Sequence, residues 1–146
     1  MRAAYRARQV VNALNLSTLL GLAIAAASGA QLAGGPDGLV IASRPRRRLL
    51  AAAAFTVGNV VIVAVESPSE SLLRHEARHA TQWAWCVLLF LPLYWLAAGW
   101  SHLRTGDPWS RNAFERRAGL ADGGYVEAPL RRVWIRHRSD DEPRPD

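Results

Sequence analysis

Residues His75-Glu76-Ala77-Arg78-His79 form an H-E-x-x-H run, a spacing that can hold a metal ion. On a helix, positions i and i+4 lie one turn apart on one face, so both imidazoles can point at a single ion. Glu76 stands beside the pair, where its carboxylate can take a proton from a water that the ion polarises. Zinc suits such donors and lowers the pKa of a coordinated water to about 7, which makes a nucleophile at neutral pH. A catalytic zinc site also needs a third protein ligand and an open position. Glu115, His102 and His137 are the downstream candidates. Glu115 is favoured, because Asn112-Ala113-Phe114-Glu115-Arg116-Arg117-Ala118 reads as helix, with Asn112 and Glu115 on one face and Ala118 leaving room for a neighbour. His102 directly follows an apolar block and reads equally well as an interfacial residue, while His137 lies among arginines near the end of the chain. Gln82 reads either as a hydrogen-bond partner behind a ligand or simply as a polar helix residue, and Asn112 could support Glu115 in the same way. Tyr94 and Tyr125 read first as core residues. The plainer alternative makes Glu70, Arg74, Glu76 and Arg78 a solvated charged face that the histidines merely accompany.

The motif needs a helix, and the flanking residues predict one. In Ser67-Pro68-Ser69-Glu70, a serine N-cap, a proline at the first helical position and a glutamate at the third form a capping box. The helix is expected from near Pro68 to about Leu91, where Pro92 removes a backbone donor. Glu70 precedes Arg74 by four residues, in the favourable order for an ion pair. Upstream, Phe55 to Val63 is rich in β-branched residues, with Gly58 and Asn59 in its middle. Periodicity fits a buried strand or a short membrane helix, and the favoured reading is a helical or turn-like Leu50–Ala54 leading into a strand. Leu39 to Ala42 is a short strand candidate, preceded by a turn at Gly34-Gly35-Pro36-Asp37-Gly38 and followed by a charged loop, Arg44 to Arg48. Downstream, Asp107-Pro108 resembles an N-cap and first turn, opening a helix through about Leu120 that ends at Gly123-Gly124. The expected class is mainly α with a short β-hairpin or edge strand (α+β).

The chain has 146 residues and a net charge of +6, with arginine as its only strong base because lysine is absent. One domain is expected over residues 10–125, between a basic lead at 1–9 and a segment at 126–146 whose end, Ser139 to Asp146, has the composition of disorder. The arginines cluster beside apolar blocks, at Arg2, Arg6, Arg8 and at Arg44, Arg46, Arg47, Arg48. That is a membrane-flanking pattern, so membrane lipid is the expected partner and nucleic acid is not. Val10 to Ala33 is mostly apolar but interrupted by Asn12, Asn15, Ser17 and Thr18. It reads as a poor span, a surface helix or a leader with Ser28-Gly29-Ala30 as its cleavage site. The single cysteine, Cys86, excludes an internal disulfide.

Trp83 to Trp100 is almost wholly apolar, with aromatic residues at both ends, and is just long enough to cross a bilayer. Its position constrains the site. A straight helix over these residues rises about 27 Å and would carry Glu115 to the far side of the membrane from His79. Either the block spans and Glu115 is no ligand, or the chain bends back and Glu115 can be one. Pro92 is the expected place for the bend.

Two resemblances follow from these residues. His75-Glu76-x-x-His79-x-x-Gln82 resembles the H-E-x-x-H-x-x-Q helix of a zincin-like group that includes metallopeptidase-like core domains of bacterial injection-system toxins. Thr56-Val57-Gly58-Asn59-Val60-Val61, the motif, Leu91-Pro92-Leu93-Tyr94, Asn112-x-x-Glu115 and Gly119 to Tyr125 together resemble a family of small uncharacterised bacterial membrane-associated proteins, over about residues 12 to 125. The resemblance implies a minimal zincin-like core with apolar membrane-associated helices, at the bacterial inner (cytoplasmic) membrane. It implies gluzincin-type ligation of Zn2+ by His75, His79 and Glu115, with Glu76 as general base. It also implies a peptide or protein substrate bound by strand pairing around Gly58-Asn59. The expectation is a membrane-associated zinc metallopeptidase-like hydrolase. The alternatives are a non-catalytic membrane protein with a structural or vestigial metal site, and a membrane scaffold with none.

Overall fold

The computed structural model describes residues 2–46 and 52–131. The chain divides into two compact units, Met1–Leu91 and Pro92–Asp146. The first holds α1 (Arg2–Leu14), α2 (Ser17–Ser28), β1 (Gln31–Gly34), β2 (Val40–Ser43), β3 (Ala54–Val57), β4 (Val60–Val63) and α3 (Glu70–Cys86). Helix α4 (Phe90–Thr105) starts at the boundary, and α5 (Ala113–Ala118) follows it in the second unit. The class is α+β and mainly helical, as the sequence predicts.

The four strands make one sheet in the order β1-β2-β4-β3, with β2 and β4 parallel and the other pairs antiparallel. β4 is central and every residue of Val60–Val63 is buried, which explains its unbroken run of β-branched residues. Alternate side chains leave opposite faces of a strand. Val60 and Ile62 join Ala25 and Ala42 in one cluster, against Leu22 and Ile24 of α2. Val61 and Val63 join Leu39, Ala54 and Ala80 in another, against Leu72 and Ala77 of α3. The sheet is therefore a slab between α2 and α3.

Where one strand was expected from Phe55 to Val63, there are two. Val57 pairs with Val60, so Gly58 and Asn59 form a two-residue hairpin turn. Gly58 has φ 62°, the left-handed value that a first-position glycine supplies in such turns. A Cβ there would also lie 2.4 Å from the Thr18 nitrogen and 2.5 Å from the Ser17 carbonyl carbon, so the turn sits directly on the start of α2. Asn59 is buried, donating to Thr18 Oγ1 (3.1 Å) and accepting from Asn12 Nδ2 (3.1 Å), which also donates to the Ala80 carbonyl (2.9 Å). Asn12, an apparent interruption of an apolar stretch, is thus a buried link between α1, the hairpin and α3. That stretch is not one helix either. It breaks by 75° between α1 and α2, where Leu16 has φ 63°.

Helix α3 starts two residues later than the capping box suggests. Ser69, not Ser67, is the N-cap, its side chain accepting from Leu72 N (3.1 Å). The expected Glu70–Arg74 pair forms at 3.5 Å, between exposed side chains. The helix also ends early, at Cys86. Val87 takes φ 53°, ψ −134°, and a short 3-10 turn, Val87–Leu89, leads into α4. The Phe90 ring lies 4.8 Å from that of Trp83 and 6.3 Å from that of His79. In a straight helix residues 79 and 90 would stand about 16 Å apart along the axis. The helix therefore breaks at Val87, ahead of Pro92. Pro92 instead occupies the first turn of α4, where a missing N–H costs no helical bond.

In the second unit, the helix expected from Asp107 to Leu120 is mostly absent. Asp107 caps a tight turn, its Oδ1 accepting from Trp109 N (2.8 Å) and Ser110 N (2.7 Å). Ser101 Oγ donates to the Asp107 carbonyl (2.7 Å) and accepts from Arg111 N (2.8 Å), fixing this turn to α4. Only Ala113–Ala118 is α-helical, with Asn112 as N-cap. Tyr94 packs against Trp109 and Phe114, and Trp109 against Tyr125. The expectations for Arg47 to Leu50 and for residues 132–146, the disordered tail among them, lie outside the described residues.

The run Glu70–Thr105, 36 residues including the short turn, is long and apolar enough to cross a membrane.

Candidate metal centre

Helix α3 lays His75, Glu76, His79, Ala80 and Trp83 along its buried face. The charged-face alternative therefore fails for Glu76, which is buried with both histidines. The i, i+4 spacing brings the imidazoles together edge to face, ring centroids 4.6 Å apart at 83°. Their Nε2 atoms stand 2.9 Å from each other. Two lone pairs cannot face one another at that distance without a proton or a cation between them. A tetrahedral zinc ion with Zn–N bonds of about 2.05 Å would hold two nitrogens about 3.3 Å apart, so a few tenths of an ångström of opening would admit it.

Gln82 fixes which nitrogen His79 offers. Its Oε1, an acceptor, lies 2.8 Å from His79 Nδ1. Nδ1 then carries the proton and Nε2 presents its lone pair towards His75. Sequence reasoning placed Gln82 behind a ligand, and it stands one turn beyond His79.

Glu76 has a partner that sequence reasoning missed. Thr56 Oγ1 donates to Glu76 Oε2 at 2.6 Å, and the Thr56 carbonyl accepts from Trp83 Nε1 at 2.9 Å. In the β3–β4 hairpin, Val57 and Val60 flank the turn, so the backbone of Thr56 points to the outer edge of the sheet. The Trp83 indole occupies that outward carbonyl, and the Thr56 hydroxyl holds the motif's glutamate. The one available signal was a lone hydroxyl within Phe55-Thr56-Val57, an apolar strand. Gly58 and Asn59, expected to present an edge to a peptide, form instead a turn closed against α2.

In the second unit, Glu115 lies in the first turn of α5 and is buried. Tyr94 of α4 donates its hydroxyl to Glu115 Oε1. Asn112, expected beside the carboxylate, spends its Oδ1 on Phe114 N (3.0 Å) as the N-cap, and its Nδ2 makes a long bond to the Tyr94 carbonyl (3.4 Å). It thus supports the helix and the tyrosine that carry Glu115.

His75, His79 and Glu115, all buried, form a group whose ligand atoms lie within 4.8 Å of one another, and this group can hold a metal ion. Two imidazoles and one carboxylate are the donors that leave a fourth position open on zinc. His102, the competing third ligand, is exposed in the last turn of α4. His137 lies outside the described residues. No family model, curated protein or solved structure matches the chain.

Proposed function

We propose that the chain is a membrane-associated, zinc-dependent metallopeptidase-like protein that hydrolyses an amide bond. The observation that carries this reading is the buried group of His75, His79 and Glu115, with the two histidines on the helix that also bears Glu76. Bound there, zinc would supply Lewis-acid polarisation and lower the pKa of a coordinated water to about 7. His79 contributes Nε2, kept in the right tautomer by Gln82. Glu115 contributes a carboxylate oriented by Tyr94. Glu76 takes the proton of the attacking water and returns it to the departing amide nitrogen, its carboxylate steadied by Thr56. A substrate pairing with the outer edge of β3 would have to displace Trp83 from the Thr56 carbonyl, so an approach over the histidines is the better route.

The contacts of Glu76 favour a second reading. A buried glutamate bonded to a strand hydroxyl also ties α3 to the sheet, as a structural metal site would require.

Elemental analysis of purified protein, combined with a peptide-library assay, tests both. The wild type is expected to carry about one zinc per chain and His75→Ala to lose it. Glu76→Gln should keep the metal while turnover falls by roughly 10²–10⁴-fold, the usual share of general-base catalysis. Equal metal content in wild type and His75→Ala would sink the zinc reading. Metal without turnover in the wild type would leave the structural one.

A further inference from the structure

We propose that the end of the first unit where α1 and α3 stop side by side is a bilayer-docking face, and that the chain enters the lipid there and returns to the same side. The inference rests on the membrane association proposed above, but not on the metal.

The two helices run in parallel. Arg8 Nη1 of α1 donates to the Ala77 carbonyl of α3 (3.3 Å), and Asn12, one turn on, donates to the Ala80 carbonyl (2.9 Å). Their C-terminal ends therefore emerge at one end of the unit. Each then breaks at a non-glycine residue in the left-handed region, Leu16 with φ 63° and Val87 with φ 53°. L-residues with side chains seldom adopt that region, a β-branched valine least of all. Both breaks carry large apolar side chains that the fold leaves uncovered. Leu14 is 78% exposed at the first, and Trp85, Leu88 and Leu89 are 84%, 69% and 65% exposed at the second.

The charge pattern selects the occupant. No Asp, Glu, Lys, Arg or His occurs from Val10 to Pro36, nor from Ala80 to Ser101. Arg2 and Arg6 open the first helix pair and Arg104 closes the second, as expected for a chain that dips into lipid beneath anionic headgroups. Arg104 also lies over the Trp100 ring, 5.7 Å from its centroid. A protein–protein interface makes about one hydrogen bond per 100–200 Å². Leu14, Leu88 and Leu89 offer none and Trp85 only one indole N–H, a group that also suits the headgroup level of a bilayer, so lipid fits better than a second copy of the chain.

Sidedness is measurable in the full chain expressed in bacteria. The background is Cys86→Ser, which removes the sole native thiol. Single cysteines then go in at the exposed positions Glu66→Cys, Val126→Cys, Leu14→Cys and Leu88→Cys. A membrane-impermeant maleimide is applied to right-side-out and to inverted membrane vesicles. Cys at positions 66 and 126 should label in the same preparation, and at 14 and 88 in neither until detergent is added. Labelling of 66 and 126 in opposite preparations would mean a crossing helix and overturn the proposal. So would recovery of the chain in the soluble fraction after a high-salt wash, which would remove the membrane association itself. Oxidative cross-linking of Leu88→Cys into a dimer that persists in detergent would assign the face to a second copy instead.

Discussion

The Thr56 hydroxyl donates to Glu76 Oε2 across 2.6 Å, joining the edge strand β3 to the acid of the motif. Through its carbonyl the same residue receives the Trp83 indole, so one threonine sets both the glutamate and the aromatic residue two turns along α3. This contact helps to keep Glu76 buried. A buried carboxylate is stable only when hydrogen-bonded.

Thr56→Val keeps the shape and removes the donor. Hydrogen bonds to charged groups contribute about 1.5–3 kcal/mol, so unfolding should become easier by about 2 kcal/mol, with Thr56→Ser close to wild type. Chemical denaturation of the three proteins measures this. A valine variant as stable as wild type would show that Glu76 does not depend on the threonine.

Gln82 and Tyr94 each act on a proposed ligand from behind. Residues in that position usually set metal affinity by 10–100-fold. Gln82→Leu and Tyr94→Phe are therefore each expected to raise the zinc dissociation constant by about that factor, read by competition with a chromogenic chelator. An unchanged affinity in both variants would argue that zinc binds elsewhere.

Gly58 is required twice, by its backbone angle and by its distance from α2. Gly58→Ala would force a Cβ within 2.4 Å of the Thr18 nitrogen in a conformation that alanine disfavours. A loss of about 2–4 kcal/mol follows, enough to leave a small domain largely unfolded. Circular dichroism melts of wild type and variant decide it. Gly99→Ala is the control, because nothing lies within 4 Å of the Cβ it would add.

Local physics was legible in the sequence. The spacing of His75 and His79 put both imidazoles on one face, since helical periodicity is a property of adjacent turns. The β-branched run Val60–Val63 announced a buried strand, and Leu39 to Ala42 anticipated β2. Boundaries were less readable. Ser67 and Ser69 are equivalent cap candidates by composition, and Asp107 caps a turn as readily as a helix. Nothing in Cys86-Val87-Leu88 marks a left-handed residue, so Pro92 drew the expected bend to itself.

Tertiary structure alone decided the rest. Asn12 looked like a flaw in an apolar segment until Asn59 and Ala80 stood opposite it. Thr56 and Tyr94 acquired roles only through partners 20 and 21 residues away. The type and order of side chains fix which donors exist and how neighbouring turns align. Which distant donors meet depends on where the backbone reverses, and that is set by packing summed over the whole chain.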